Sequence, residues 1–175
     1  MPRGGHGEAR ATAAERGTEA DFYIAATVPP SRARFVLKHD DTFVMIDSHG
    51  DIGADPGGPD GVFDSDTRCL SRLVLSIEGA QPLLLGSDVR DDNLNLYVDL
   101  TNPDIVRGGR IVLAKDTVHV SRTCFVRDGA LRQRIAIVNH GLDPLSIVVA
   151  LELDSDFADV FEVRGVKRPR RGLLH

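Results

Sequence analysis

Thr117 to Val138 reads TVHVSRTCFVRDGALRQRIAIV, two runs with strand-like alternation broken by Asp128-Gly129. An Asp-Gly pair between alternating segments is a strong signal for a two-residue β-hairpin, because both central residues must take positive φ. The same period-two pattern extends in both directions. Asn93 to Leu100 places Leu94, Leu96, Val98 and Leu100 on one face and Asn93, Asn95 and Asp99 on the other. Arg72 to Glu78 alternates likewise, and Gly79-Ala80 turns the chain into Gln81 to Leu85. Arg34 to Lys38 and Thr42 to Asp47 flank the break at His39-Asp40-Asp41, and Arg110 to Leu113 pairs with the run from Thr117.

A final strand is expected over Leu145 to Leu153, with Leu145, Ile147, Val149, Leu151 and Leu153 on its buried face. Long helical periodicity is absent; only Ser65 to Ser71 and Phe157 to Glu162 suit a helical turn. Eight or nine short strands with regular turn signals predict an all-β fold, an antiparallel β-sandwich. Ser48 to Gly61, rich in Gly, Pro and Asp, reads as a flexible loop. Residues 1–30 hold almost no large apolar side chain before Phe22 and read as a disordered leader, with Val28-Pro29-Pro30 marking entry to a domain over 31–175.

The 175 residues are 42% hydrophobic and 27% charged, with a formal net charge of −5, which offers nothing to nucleic acid or an anionic membrane. No apolar run approaches a bilayer span and the N-terminus lacks an apolar signal region, so a cytoplasmic location is expected. Cys69 and Cys124 are too few for a disulfide scaffold and read as buried thiols.

The segment LELDSDFADVFEVRG, Leu151 to Gly165, begins as a strand and then interleaves Asp154, Asp156, Asp159 and Glu162 with Phe157, Val160 and Phe161. Together with DSDTRCLSRL (Asp64 to Leu73), LLLGSDVRDDN (Leu83 to Asn93) and VDLTNPD (Val98 to Asp104), it carries a resemblance. The four motifs, in this order, resemble the N-terminal β-sandwich domain of prokaryotic glycogen-debranching, amylo-α-1,6-glucosidase-like proteins, over about residues 35 to 172. The resemblance implies a supersandwich-like, non-catalytic domain that precedes an (α/α)-barrel, packs against it and helps shape its α-glucan site. The barrel would be a partner in cis or in trans. Such domains usually continue past the basic stretch with further strands, so a sequence stopping at His175 is expected to be shortened at its C-terminal end.

Glycoside hydrolysis needs two carboxyl groups across a bound sugar, and Asp154, Asp156, Asp159 and Glu162 offer them by count. The structural reading is favoured: Asp ends the strand and caps the next turn, with the cluster solvated or paired with Arg164 and Arg168. Phe157 and Phe161 are expected to pack under the sheet or against the barrel. Arg68 is expected to form a bidentate pair with one of the acidic residues, after a helical turn capped by Ser65 or Asp66; contact with sugar hydroxyls is the functional alternative. Arg90, Asp91, Asp92 and Asn93 read equally as a saccharide-facing loop and as a plain connection.

Asp47, Asp51, Asp55 and Asp60 do not fit a calcium-loop spacing and read as solvated. The scattered histidines do not suggest zinc, and no nucleotide or nucleophile-elbow motif is present. No cofactor, metal site or catalytic residue is expected. Two rival readings remain: a free-standing glucan-binding module, for which 5% aromatics without Trp is a thin platform, and a fragment with no independent activity.

Overall fold

The computed structural model describes residues 32–166. The leader over 1–30, its exit at Val28-Pro29-Pro30, and the basic stretch Lys167 to Arg171 lie outside those residues. Strands β1 (Arg34–His39), β2 (Thr42–Asp47), β3 (Gly61–Asp64) and β4 (Thr67–Leu70) form one antiparallel sheet in that order. After one irregular residue, Ser71, the chain continues as β5 (Arg72–Ile77). Strands β6 (Leu83–Val89) and β7 (Asn95–Thr101) follow, then the small hairpin β8 (Ile105–Arg107) and β9 (Arg110–Leu113). Strands β10 (Val118–Arg127) and β11 (Ala130–Asn139) complete a second sheet, ordered β11-β10-β7-β6. Strand β12 (Val149–Asp154) returns antiparallel to β5, and α1 (Val160–Val163) is a single turn.

The alternation in the sequence becomes burial. Val118, Val120, Cys124 and Val126 of β10 face inward, as do Leu96, Val98 and Leu100 of β7. They share one core with Leu37, Val44 and Ile46 of the first sheet and with Leu73, Leu75 and Ile77 of β5. Each such side chain contributes roughly 1.5–3 kcal/mol by leaving water. The fold is therefore an all-β antiparallel sandwich. Asp128 (φ 52°) and Gly129 (φ 71°) close the β10–β11 hairpin, pairing Arg127 with Ala130.

Several local expectations fail, each for a tertiary reason. Ser65 to Ser71 is not helical: Ser65 (φ 45°) and Asp66 (φ 67°) form a tight turn that sends β4 back along β3. Neither residue caps a helix. Strand β9 pairs with β8 rather than with the run from Thr117, because Gly108 and Gly109 both take positive φ and make the tighter connection.

Ser48 to Gly61 is not simply a flexible loop. Ile52 is fully buried and exchanges backbone hydrogen bonds with Leu73 at 2.8 and 2.9 Å. The last strand covers only Val149–Asp154, and its apolar row is buried only in part: Ile147 and Val149 pack against the core, whereas Leu151 and Leu153 are 43% and 64% exposed. Their cross-strand partners Leu75 and Leu73 sit in the core, so β12 overhangs the opposing sheet.

The two thiols also part company. Cys124 is buried and burial pushes its thiol up to about 11, whereas Cys69 is exposed. Since the thiolate is the reacting species, an alkylating reagent at pH 8 should modify Cys69 alone in the folded protein. Cys124 should react only once denaturant is added, as mass spectrometry would read; rapid labelling of both thiols would contradict this packing.

Candidate functional site

The acidic-aromatic segment lies along the edge of β4. From Asp154 the chain leaves β12 and continues as an arm, with Arg68 N donating to the Ala158 carbonyl and Val160 N to that of Asp66, at 2.8 and 2.9 Å. Ala158 is buried and anchors the arm. Asp159 then caps α1: its side chain accepts from Phe161 N at 2.8 Å, while Glu162 reaches back to Asp159 N at 3.1 Å. This capping box uses both carboxylates structurally. Arg68 fulfils the expected bidentate pairing, Nε to Asp156 Oδ1 at 3.0 Å and Nη2 to Oδ2. Arg68 also donates to the carbonyls of Asp60 and, more weakly, Gly58.

Phe157 and Phe161 do not pack under the sheet. They are 63% and 58% exposed, and Phe157 is held at φ 49°. A bulky residue in left-handed backbone costs roughly 1–2 kcal/mol, and the capped turn and the Arg68–Asp156 pair on either side hold it there. Phe157→Gly should therefore leave the melting temperature nearly unchanged, since relief of strain offsets the added freedom of the unfolded chain. A large drop in Tm would mean that the ring has a packing role after all.

Beside the arm, Arg68, Asp154, Asp156, Ser71 and Arg72 face the Gly53–Gly58 loop across a cleft of about 240 Å³. Arginines fasten that loop on every side. Arg72 donates to the Gly53 carbonyl at 2.9 Å and to Glu152 at 2.6 Å. Arg34 reaches Asp60 at 2.7 Å and Asp55 at 3.1 Å. The solvated reading holds for Asp55, which is exposed, but Asp47, Asp51 and Asp60 are each no more than 2% exposed and sit in buried ion pairs.

At the root of the loop, Arg122 projects from β10 into the core, wholly buried, and donates to Asp51 Oδ1 at 2.6 Å and to the His49 carbonyl at 2.8 Å. Asp51 also accepts from Leu75 N, and Asp47 accepts from His49 N and Asp51 N and pairs with Arg32. This polar cluster ties the two sheets to the wall of the cleft. The sequence reading missed it, although an arginine within the apolar file of Val118 to Val126 was its visible signal.

His49 sits in this cluster with its Nδ1 buried and unpartnered. Burial first, and the Arg32 charge second, hold its pKa below the ordinary 6.5. The folded state therefore binds this proton less readily than the unfolded chain, and the stability is present above pH 6.5 and declines below it. Melting temperature should fall between pH 7.5 and 5.5, and His49→Gln should flatten that part of the profile. An unchanged slope in the variant would refute the assignment.

Arg90 to Asn93 does not join this cleft. Asn93 (φ 53°) accepts from Lys38 N, and Leu94 N donates to Asp92, so the segment is a tight connection docked on the free edge of β1. Lys38, Phe43, Phe63 and Arg68 lie in register across β1 to β4. That sets three strand spacings, about 14 Å, between Arg68 and β1, with the Arg90 segment on the far side of β1. Arg90 instead lies over the Tyr97 ring, 5.8 Å from its centroid.

Chemically, the cleft holds arginine and carboxylate groups, among them the Arg68–Asp156 pair. Hydrogen bonding to Arg68 pulls Asp156 below its ordinary range, the wrong direction for a proton donor. Burial raises Asp51, but at 1% exposure it meets no substrate. No group of metal-ligating side chains occurs among the described residues, nor any helix long and apolar enough to cross a membrane. Residues 37–175 match the family described as the N-terminal domain of some glycogen debranching enzymes. The chain belongs to that family. No curated protein and no solved structure matches it. The match covers nearly all of the described residues, so they correspond to that N-terminal domain.

Proposed function

We propose that this chain is a non-catalytic domain of an amylo-α-1,6-glucosidase-like debranching system. It supports a glycosidase (α/α)-barrel in the cytoplasm and contributes one wall of an α-glucan site. Family membership supports the link to glycogen debranching. The observation that carries the role is the arm at the β4 edge, where exposed Phe157 and Phe161 flank the Arg68–Asp156 pair. Exposed aromatics beside fixed polar groups suit a partner surface. Paired arginine and carboxylate groups in a shallow cleft suit recognition of sugar hydroxyls through charge-assisted hydrogen bonds.

Calorimetric titration of the purified chain with glycogen and with maltooligosaccharides tests the glucan part. Saturable heat is expected, and Arg68→Ala should abolish it. The Arg68 side chain is only 13% exposed and also donates to the Asp60 carbonyl, so a lowered Tm is expected too, and the variant is read only where it still melts cooperatively. Absence of heat from a cooperatively melting protein would remove the glucan contact. The barrel-supporting role would then rest on whether Phe157→Ser and Phe161→Ser release a co-expressed glycosidase barrel.

A further inference from the structure

Asp55, Arg68, Arg72, Asp154 and Asp156 are the charged side chains that line the cleft beside the arm, and all but one are engaged within the chain. Arg68 pairs with Asp156, Arg72 with Glu152 and the Gly53 carbonyl, and Asp55 with Arg34. Asp154 is the exception. It is exposed and makes no ion pair among the described residues. Its Oδ1 accepts from Ser155 N at 2.8 Å, which fixes the carboxylate and leaves Oδ2 without a partner there. Arg72 stands opposite it in the β12–β5 register but turns its guanidinium to Glu152 and Gly53.

A second polar group is left over beside it. Ser71 also lines the cleft, and its N–H donates to the Asp154 carbonyl at 2.9 Å, so the two residues are held together. The Ser71 hydroxyl has no partner among the described residues.

We infer, resting on the glucan reading of this cleft, that Asp154 and Ser71 are its specificity pair: they read one hydroxyl of a neutral saccharide and keep anions out. A sugar hydroxyl donates and accepts at once. The ionised carboxylate only accepts, and the serine hydroxyl is able to donate, so the pair matches both halves of that group. An anion drawn to Arg68 and Arg72 finds their charges already balanced by Asp156 and Glu152. It also meets the unbalanced carboxylate of Asp154, and like charges placed together are strongly disfavoured in recognition.

Calorimetric titration of the full 175-residue chain with maltotriose, at fixed ionic strength, tests this. Asp154→Asn keeps an acceptor for Ser155 N but removes the charge, so it should melt as the parent does. Its dissociation constant should rise about tenfold or more, as expected for a lost hydrogen bond to a charged group. Ser71→Ala should weaken binding by a smaller factor, since the lost hydrogen bond is neutral. Inorganic phosphate should not compete with maltotriose for the parent protein.

Unchanged affinity in either variant overturns the pairing and leaves the glucan site standing. Competition by phosphate overturns the exclusion of anions, and it is read on the parent protein whatever the fate of the variants. No heat from the parent with maltotriose removes the glucan site itself and this assignment with it.

Discussion

Replacing Arg122 with methionine should cost about 3–5 kcal/mol, the loss seen when one partner of a buried ion pair is removed. The guanidinium is wholly buried, and its Asp51 partner is 1% exposed. Without Arg122 the buried carboxylate loses its close partner and keeps only the Arg32 guanidinium, 3.6 Å from its other oxygen, and the His49 carbonyl loses its donor. For a domain with total stability of about 5–15 kcal/mol this is a large fraction, and a steep fall in the denaturation midpoint should follow. Arg122→Met combined with Asp51→Asn should recover part of the loss, since the buried charge that lost its close partner is gone while an oxygen remains for Leu75 N. If the single variant melts within about 1 kcal/mol of the parent, the pair is not what joins the sheets. A cleft that keeps its ligand in that variant would also separate the hub from the site.

Gly53→Ala should be nearly as severe, at no less than about 3 kcal/mol. Its φ is +63°, and an added Cβ would lie 2.2 Å from the backbone carbonyl oxygen of Ser71. Ser71 joins β4 to β5 and donates its own N–H to Asp154, so that carbonyl has little room to retreat. Gly57→Ala is the matched control. It has comparable backbone geometry, φ +75°, but nothing within 4 Å of the new methyl. It should show only the conformational penalty of about 1 kcal/mol. Urea denaturation of the two variants side by side separates strain from collision. Equal losses would mean that the Gly53 loop yields to the clash and is not held as tightly as its arginine contacts imply.

Much of the framework is written in local pattern. The Asp128-Gly129 hairpin, the β7 alternation and the β1–β2 hairpin depend on residues adjacent in sequence, so periodicity and turn chemistry suffice to find them. The pairing of Arg68 with an acidic residue and the capping role of Asp159 are legible for the same reason: arginine beside an acidic, capped segment has few other uses. The family motifs are also local strings, which is why membership follows from them.

What escaped the sequence depends on distance along the chain. Gly/Pro/Asp composition marks Ser48 to Gly61 as a loop, yet Ile52 and Asp51 are buried because β5 and β10, more than 20 and 70 residues away, close over them. Alternation gave Leu151 and Leu153 a core-facing side, correctly as to which face they share with Leu75 and Leu73. Whether a face is covered depends on how far the opposing sheet extends, which no residue of β12 encodes. By itself, then, the sequence determined most of the strands, the Asp128-Gly129 turn and the family, because each is set by neighbours in the chain, and it pointed to an acidic partner for Arg68. Only the tertiary structure decided that Arg122 and Asp51 join the sheets, that Arg90 to Asn93 lies apart from the cleft, and that Leu151 and Leu153 are left exposed among the described residues. Those are outcomes of which sheet meets which.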